Sequence, residues 1–256
     1  MGPSTAPPLP EAASALRTFL IADLRGYTRF TQEQGDEAAA RLAARFAALM
    51  REGVDAHGGQ VRELRGDEAL AVFASARQAL RAAVAVQASF AEAMAANPVL
   101  PLPVGMGLDA GEAVPVEGGY RGGALNRASR LCAVAPAGEV LVTEALAHLA
   151  GAVQGLAYLE RGRMPLRGLA EPVRVLQLLP VPFVAVVAAP ADGAAVEGLL
   201  ADLRAHGVAC WNTQHALETE DGASGLREGV RACRVVLCVR TPQAGQAWPV
   251  KGVLEI

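Results

Sequence analysis

The sequence contains almost no lysine. Lys251 is the only one, and every other basic residue is an arginine. The net charge of -3 leaves no excess of positive charge of the kind that binds nucleic acid or an anionic membrane. No apolar run approaches the length that crosses a bilayer. We expect residues 1–15 to be disordered, because they are rich in proline, serine and alanine, and they lack the basic and apolar regions of a signal peptide or anchor.

Cysteine is also scarce, with four residues in a chain of 256. All four lie in otherwise apolar segments without the spacing of a zinc site, so we expect reduced thiols in a cytoplasmic protein. They are Cys132, Cys210, Cys233 and Cys238. Hydrophobic residues make up 52% of the chain, which is enough core for one large domain or two ordinary ones.

Two predicted strands end in an aspartate. The run Thr18-Phe19-Leu20-Ile21-Ala22 leads to Asp23, and Asp67 occupies the tight turn of a hairpin whose second strand, Ala69 to Phe73, is continuously apolar. If these strands are neighbours, the two carboxylates converge as hard oxygen ligands suited to Mg²⁺ or Mn²⁺. The alternative is that Gly66-Asp67 is ordinary turn chemistry and that Asp23 only ends its strand.

The segments that follow predict an α+β domain with helices on one side of a mixed sheet. A helix is expected from Gly35 to Ala56, and a second helix is expected to begin after the cap Ser75. Ala110-Gly111-Glu112 is expected to separate two short strands, and a glycine-rich loop is expected over residues 118–123.

A further helix is predicted to carry Asn126 and Arg130. Because the two residues are four apart, their side chains share one helical face. An amide and a guanidinium on one face are suited to hold a ribose oxygen and a triphosphate. The alternative is an ordinary solvated helix face.

Four ordered blocks of sequence resemble the class III adenylyl/guanylyl cyclase catalytic domain over residues 16–179. They are Phe19 to Thr28, Leu64 to Phe73, Gly105 to Glu112 and Leu125 to Leu131. The resemblance implies a ferredoxin-like domain that forms a homodimer, with active sites shared between the two chains. It further implies that Asp23, Asp67 and the carbonyl of Leu24 bind two metal ions, while Asn126 and Arg130 act from the partner chain on the nucleoside triphosphate.

The resemblance fails at the residues that select the base. The family's purine-selecting lysine corresponds to Glu63, and the polar partner of that lysine corresponds to Gly119. A carboxylate at Glu63 favours guanine, which offers two hydrogens where adenine offers one amine. The alternatives are a site that does not select among bases, one that reads a pyrimidine, or one that has lost turnover.

From residue 182 to 256 the pattern changes to strand, helix, strand, helix, strand with continuously apolar strands, which predicts a parallel α/β sheet. This segment resembles a TIR-type domain, and the resemblance implies contacts with other TIR domains or cleavage of NAD. Gly252 stands where the NAD-cleaving glutamate is expected after Trp248, and Glu255 is out of register, so an interaction role is favoured. Since the chain stops at Ile256, we expect this second domain to be incomplete.

Three functions follow from these patterns. The first is a nucleotide cyclase that converts GTP or ATP to a 3′,5′-cyclic nucleotide and pyrophosphate, with signalling as its role. The second is a cyclase-fold nucleotide sensor and dimerisation module coupled to the TIR-like segment. The third is a TIR-type NAD hydrolase. Asp23, Asp67, Asn126 and Arg130 are all present, which favours the first over the second.

Overall fold

Strands and helices alternate through the part of the chain that the structure, a computed structural model, describes. That part comprises residues 14–97, 99, 101, 103–116, 119–181, 183–188, 192–206, 208–214 and 222–239. Among these residues, no helix is long and apolar enough to cross a membrane. The elements up to residue 180 are β1 Ala15–Leu24, α1 Tyr27–Gln34, α2 Asp36–Ala56, β2 Gln60–Arg65, β3 Glu68–Phe73, α3 Ala76–Ala96, β4 Val104–Val116, β5 Gly119–Arg121, α4 Gly123–Val134, β6 Val140–Thr143, α5 Glu144–Ala150, β7 Leu156–Met164 and β8 Val173–Pro180.

These strands form one mixed sheet in the order β2-β3-β1-β4-β6-β8-β7, with β5 paired to β4. Strand β1 lies in the interior of the sheet and pairs antiparallel with both β3 and β4. Strands β4 and β6 are parallel. The predicted hairpin of β2 and β3 is present, and its second strand lies directly beside β1.

Helices cover both faces of this sheet, so the prediction of helices on one side was wrong. Leu20 and Ala22 of β1 pack with α2 and α3, where the rings of Phe46 and Phe90 are stacked with their centroids 5.6 Å apart. Phe19 points to the opposite face, which α4 covers. Alternate residues of β1 therefore enter two cores, and this explains why the strand is apolar without alternation.

Three local predictions also need correction. Residues 110–112 do not separate two strands, because β4 continues through them to Val116. Part of the expected glycine-rich loop is the short strand β5, whose Tyr120 lies opposite Pro115 of β4. Helix α1 was not predicted. It is only eight residues long, and just two apolar side chains, Tyr27 and Phe30, pack against the core, which is too short a pattern to indicate a helix.

A second sheet follows, with strands β9 Val184–Ala188, β10 Cys210–Asn212 and β11 Val235–Val239 and helices α6 Gly193–Ala205 and α7 Gly222–Ala232. Strand β9 is central and pairs parallel with both neighbours, as the pattern predicted. Residues 246–248, Gly252 and Glu255, on which the NAD-cleaving alternative depends, lie outside the described residues.

The two sheets share a core. Trp211 and Phe183 of the second sheet region pack in one cluster with Leu159 of β7 and Leu179 of β8. Charged groups also join them, since Arg204 of α6 forms an ion pair with Glu139, which is 1% exposed and lies just before β6. Because both partners are buried, this pair ties α6 to the first sheet.

Candidate active site

The first sheet brings Asp23 and Asp67 together at one end of the neighbouring strands β1 and β3, and this end of the strands is the edge meant below. Strand β1 pairs with β3 so that Asp23 lies opposite Glu68, the residue after Asp67. The amide of Leu24 donates a hydrogen bond of 2.9 Å to the carbonyl oxygen of Asp67. Gly66 has a φ of +64°, which allows the tight turn that places Asp67 here. The two strands are therefore neighbours, as convergence of the two carboxylates requires.

The electrostatics of this edge favour a cation. Burial raises the pKa of Asp23, and the nearby carboxylates of Asp67 and Glu68 raise it further, while the guanidinium of Arg25 opposes them. Arg25 forms an ion pair with Asp23. Like charges gathered in a half-buried place repel each other, and a bound cation relieves that repulsion.

The donors at this edge fit Mg²⁺ or Mn²⁺. Both cations prefer oxygen ligands, and Mg²⁺ commonly binds through one or two carboxylates and completes its shell with waters and substrate phosphates. Within the described residues, no group of three or more histidine, cysteine, aspartate or glutamate side chains is arranged to hold a metal. Asp23 and Asp67 would hold the ions with the backbone carbonyl of Leu24, and the nucleotide would supply the remaining ligands.

Helix α4 presents Asn126 and Arg130, both exposed, on its outer face. Its inner face lies directly on the backbone of β4, because glycines there leave no side chain between helix and strand. A Cβ on Gly107 would lie 2.8 Å from the carbonyl carbon of Leu131, and one on Gly105 would lie 2.5 Å from the carbonyl oxygen of Ala135. The position of the two polar side chains therefore depends on these glycines.

We expect Gly107→Ala to destabilise the protein by about 3 kcal/mol, because the added methyl group would overlap backbone atoms of α4 that cannot move independently. Gly198→Ala is the matched control. Gly198 lies inside α6 with open space around it, so alanine there should stabilise by roughly 0.5–1 kcal/mol. Urea unfolding measures both changes, and equal stability of Gly107→Ala and wild type would contradict this packing.

Two arginines, neither of which the sequence analysis singled out, hold α4 against the sheet. Arg25 donates to the carbonyl oxygens of Cys132 and Ala135 near the end of α4, the second at 3.1 Å. Arg127 donates from Nε to the buried carboxylate of Asp109 at 2.5 Å. Arg25 therefore connects the acid pair to the end of α4. Arg25 and its partners are about a hundred positions apart in the sequence, and Arg127 and Asp109 are about twenty apart. No local sequence pattern therefore predicts these contacts.

The two positions predicted to read the base lie close together. A Cβ on Gly119 of β5 would lie 3.4 Å from Oε1 of Glu63 in β2. The carboxylate of Glu63 is also paired with Arg65, whose Nη2 lies 2.5 Å from its Oε2. Arg62 lies over the ring of Tyr120, 5.8 Å from the centroid. A carboxylate paired with an arginine, Arg65, is therefore present where the family's lysine was expected.

Asn126 and Arg130 do not contact the acid pair directly. Among the described residues, no hydrogen bond or ion pair joins either of them to Asp23 or Asp67. Arg25 contacts the end of α4 at Cys132, from which Asn126 lies about 9 Å along the helix axis and Arg130 about 3 Å, at 1.5 Å per residue. Within one chain, the two parts of the predicted site are therefore not joined by a direct polar contact.

Comparison with known proteins identifies the fold. A crystal structure of an adenylate/guanylate cyclase/hydrolase from Silicibacter pomeroyi matches with a TM-score of 0.58 and 26% identity, over 66% of this chain and 99% of that one. The adenylyl cyclase CyaB from P. aeruginosa matches with a TM-score of 0.56 and 22% identity, over 65% of this chain and 94% of that one. The fold is that of a class III cyclase domain. The α+β prediction for the cyclase part is confirmed.

The sequence relatives are matched over a smaller share of their own length than the structures are. No family model matches the chain. An uncharacterized protein of Mycobacterium tuberculosis is 31% identical over 165 residues, which cover 63% of this chain and 55% of that protein. The chain thus spans about half the length of that relative. The matched structures are cyclase domains, and the TIR-like character of the second sheet stays a prediction.

Proposed function

We propose that the protein is a nucleotide cyclase, which converts a nucleoside triphosphate to a 3′,5′-cyclic nucleotide and pyrophosphate. The observation that carries this proposal is the pairing of β1 with β3, which places Asp23 and Asp67 side by side at one edge of a cyclase-type sheet. Oxygen ligands at such an edge suit the cations that accompany triphosphates. Asn126 and Arg130 supply the polar donors that the reaction needs.

The active protein is a homodimer in this proposal. Within one chain, Asn126 and Arg130 make no contact with the acids, and both lie exposed on α4. A two-fold axis that brings the α4 face of one subunit to the acid edge of the other completes two equivalent sites. Each site then combines Asp23 and Asp67 of one subunit with Asn126 and Arg130 of the partner subunit.

The roles of the residues follow from their chemistry. Asp23, Asp67 and the carbonyl of Leu24 hold the metal ions, which when bound favour ionisation of the ribose 3′-hydroxyl and offset the charge of the departing pyrophosphate. Asn126 of the partner subunit orients the ribose through its amide. Arg130 of the partner subunit donates hydrogen bonds to the α-phosphate, where its charge stabilises the transition state.

The base is read by Glu63 in this proposal, which favours GTP over ATP. The carboxylate accepts hydrogen bonds from N1 and N2 of guanine, whereas adenine offers one amine. Arg65 pairs with Oε2 of Glu63, and Oε1 faces Gly119. Gly119 contributes no side chain to this recognition.

The test of the function is to supply the purified protein with Mn²⁺ and ATP, GTP, CTP or UTP in separate reactions and to identify products by mass spectrometry. We expect cyclic GMP to form fastest, with cyclic AMP second. Equal rates with all four triphosphates would contradict the role of Glu63 while leaving the cyclase reaction intact. Absence of cyclic product from all four would contradict the proposed function.

The small number of contacts available to the base favours a second function, that of a nucleotide sensor. Glu63 is already paired with Arg65, and Gly119 has no side chain, so base contacts are few. A nucleotide sensor needs binding and dimerisation without turnover, and the second sheet, which shares a core with the first, would pass the signal on through contacts of its TIR-like surface. Tight binding of a triphosphate by a dimer that forms no product would support this function.

A further inference from the structure

Asp109 is a buried charged residue that the proposed reaction does not use. It lies in β4 with no exposed surface. Its Oδ2 accepts a hydrogen bond of 2.5 Å from Nε of Arg127 in α4, and its Oδ1 accepts one of 2.5 Å from the hydroxyl of Thr143 at the end of β6. Both carboxylate oxygens are therefore engaged by partners on different elements. A buried carboxylate is costly unless it is paired in this way.

Opposing effects on the pKa of Asp109 show that the carboxylate depends on these partners. Burial raises its pKa, while the hydrogen bond from Thr143 and the charge of Arg127 lower it. Removal of Arg127 would leave a buried carboxylate without its charged partner, held only by Thr143 and the backbone of Ala110. The pair is therefore not an exchangeable surface contact, and its geometry is fixed from both sides.

Arg127, which pairs with Asp109, lies in the same part of α4 as Asn126. It is the next residue after Asn126, and a Cβ on Gly123, the first residue of α4, would lie 3.1 Å from its Nη1. The guanidinium thus lies beside the first turn of the helix. An ion pair at this point resists both rotation of α4 about its axis and sliding along β4, and either motion would displace Asn126 and Arg130.

Thr143 extends the connection to the next helix. Its hydroxyl donates to Asp109 and also accepts from the amide of Leu146, at 3.1 Å, as the cap of α5. One chain of hydrogen bonds therefore runs from α5 through the sheet to α4. Asp109 and Thr143, the two interior members of the chain, each have two of these partners, which makes the arrangement stiff.

We propose that Asp109 is a positioning residue of the cyclase site. Through Arg127 and Thr143 it fixes the orientation of α4, so that Asn126 and Arg130 meet the triphosphate bound at the partner subunit. This inference rests on the proposed function. Asp109 touches no substrate in it, and its effect passes through the helix. Small errors in the position of a group that stabilises the transition state slow the chemical step much more than they weaken binding.

The test compares Asp109→Asn with wild type in steady-state kinetics of cyclic nucleotide formation. Asparagine keeps the shape of the side chain but loses the charge that holds Arg127. We expect kcat to fall about 30-fold while the KM for the triphosphate stays within about threefold. Arg127→Met should give the same pattern. Arg127→Lys, which keeps a cation, should recover part of the lost kcat.

The matched control is Arg161→Met. Arg161 pairs with another buried carboxylate, that of Glu139, at 3.3 Å; Arg161 is more buried than Arg127, and Glu139 keeps Arg204 as a second partner. Arg161 lies in β7, the edge strand of the first sheet, and does not contact Asp109 or Arg127 in the described hydrogen bonds and ion pairs. We expect a loss of stability with kcat unchanged. This control separates the general effect of a weakened core from the orientation of α4.

Three results would overturn the inference, and they are distinguishable. An active wild type with Asp109→Asn at the same kcat would contradict the positioning role alone. Equal falls of kcat in Asp109→Asn and Arg161→Met would contradict it too, because both would then follow from lower stability. Wild type that forms no cyclic product from any triphosphate would overturn the proposed function as well.

Discussion

Asp67→Asn should lower the rate of cyclic nucleotide formation about a thousandfold, because a neutral amide at the turn no longer holds a divalent cation, whose charge contributes several kcal/mol to the transition state. Asp23→Asn should have an effect of the same size. Asp67→Asn removes one of the neighbouring carboxylates that, together with burial, raise the pKa of Asp23. That variant should therefore be as stable as wild type or slightly more stable, whereas Asp23→Asn also loses the ion pair with Arg25.

The measurement pairs activity with thermal unfolding. Asp55→Asn makes the same chemical change at an exposed position in the last turn of α2 and should leave the rate within about threefold of wild type. Loss of activity with retained stability would place the acids in the reaction. Asp67→Asn that keeps a third or more of the wild-type rate would contradict the assignment of the metal site.

The proposed sharing of active sites between subunits makes a second strong prediction. Asp67→Asn and Arg130→Ala should each be nearly inactive as homodimers, because each disables both sites. A heterodimer of the two variants contains one fully disabled site and one intact site. Mixing them with free exchange of subunits should therefore restore about a quarter of the wild-type activity, since about half of the dimers are mixed and each has one working site.

Co-expression with two affinity tags isolates the heterodimer directly and removes the need for exchange. The purified heterodimer should have about half of the wild-type rate. Asp23→Asn combined with Asp67→Asn is the control, because both lie in the same half of the site and their heterodimer has no intact site. An inactive heterodimer of Asp67→Asn with Arg130→Ala would contradict the sharing of sites.

Structural features that depend on residues close together in the sequence, such as helices and their caps, could be predicted. The side chain of Ser75 accepts a hydrogen bond from the amide of Gln78, so the cap expected there is present. The helix expected from Gly35 to Ala56 spans Asp36 to Ala56. The parallel strands of the second sheet also follow from their uninterrupted apolar runs. Periodicity, caps and turns all act within a few residues, and that is the range over which a single sequence is informative.

Structural features that depend on contacts between residues far apart in the sequence could not be predicted. Strand β4 stays extended through Gly111 because β1 pairs with it along its whole length, from Ala15 to Leu24. The burial of Asp109 beneath α4 and the contact of Arg25 with Ala135 depend on how α4 packs on the sheet. Such pairings arise from the tertiary fold, which overrides local preference. The acids were singled out because strand ends and turns are visible in sequence, while their supporting arginines were not.

The measurement that tests the cyclase proposal most directly is the stoichiometry of the reaction. Wild-type protein receives Mn²⁺ and GTP, and cyclic GMP and pyrophosphate are quantified in the same samples over time, with Asp67→Asn as the blank. The account predicts equal amounts of the two products and no GDP or GMP above the blank. Pyrophosphate with GMP, or phosphate with GDP, would instead reveal a hydrolase and would contradict the account.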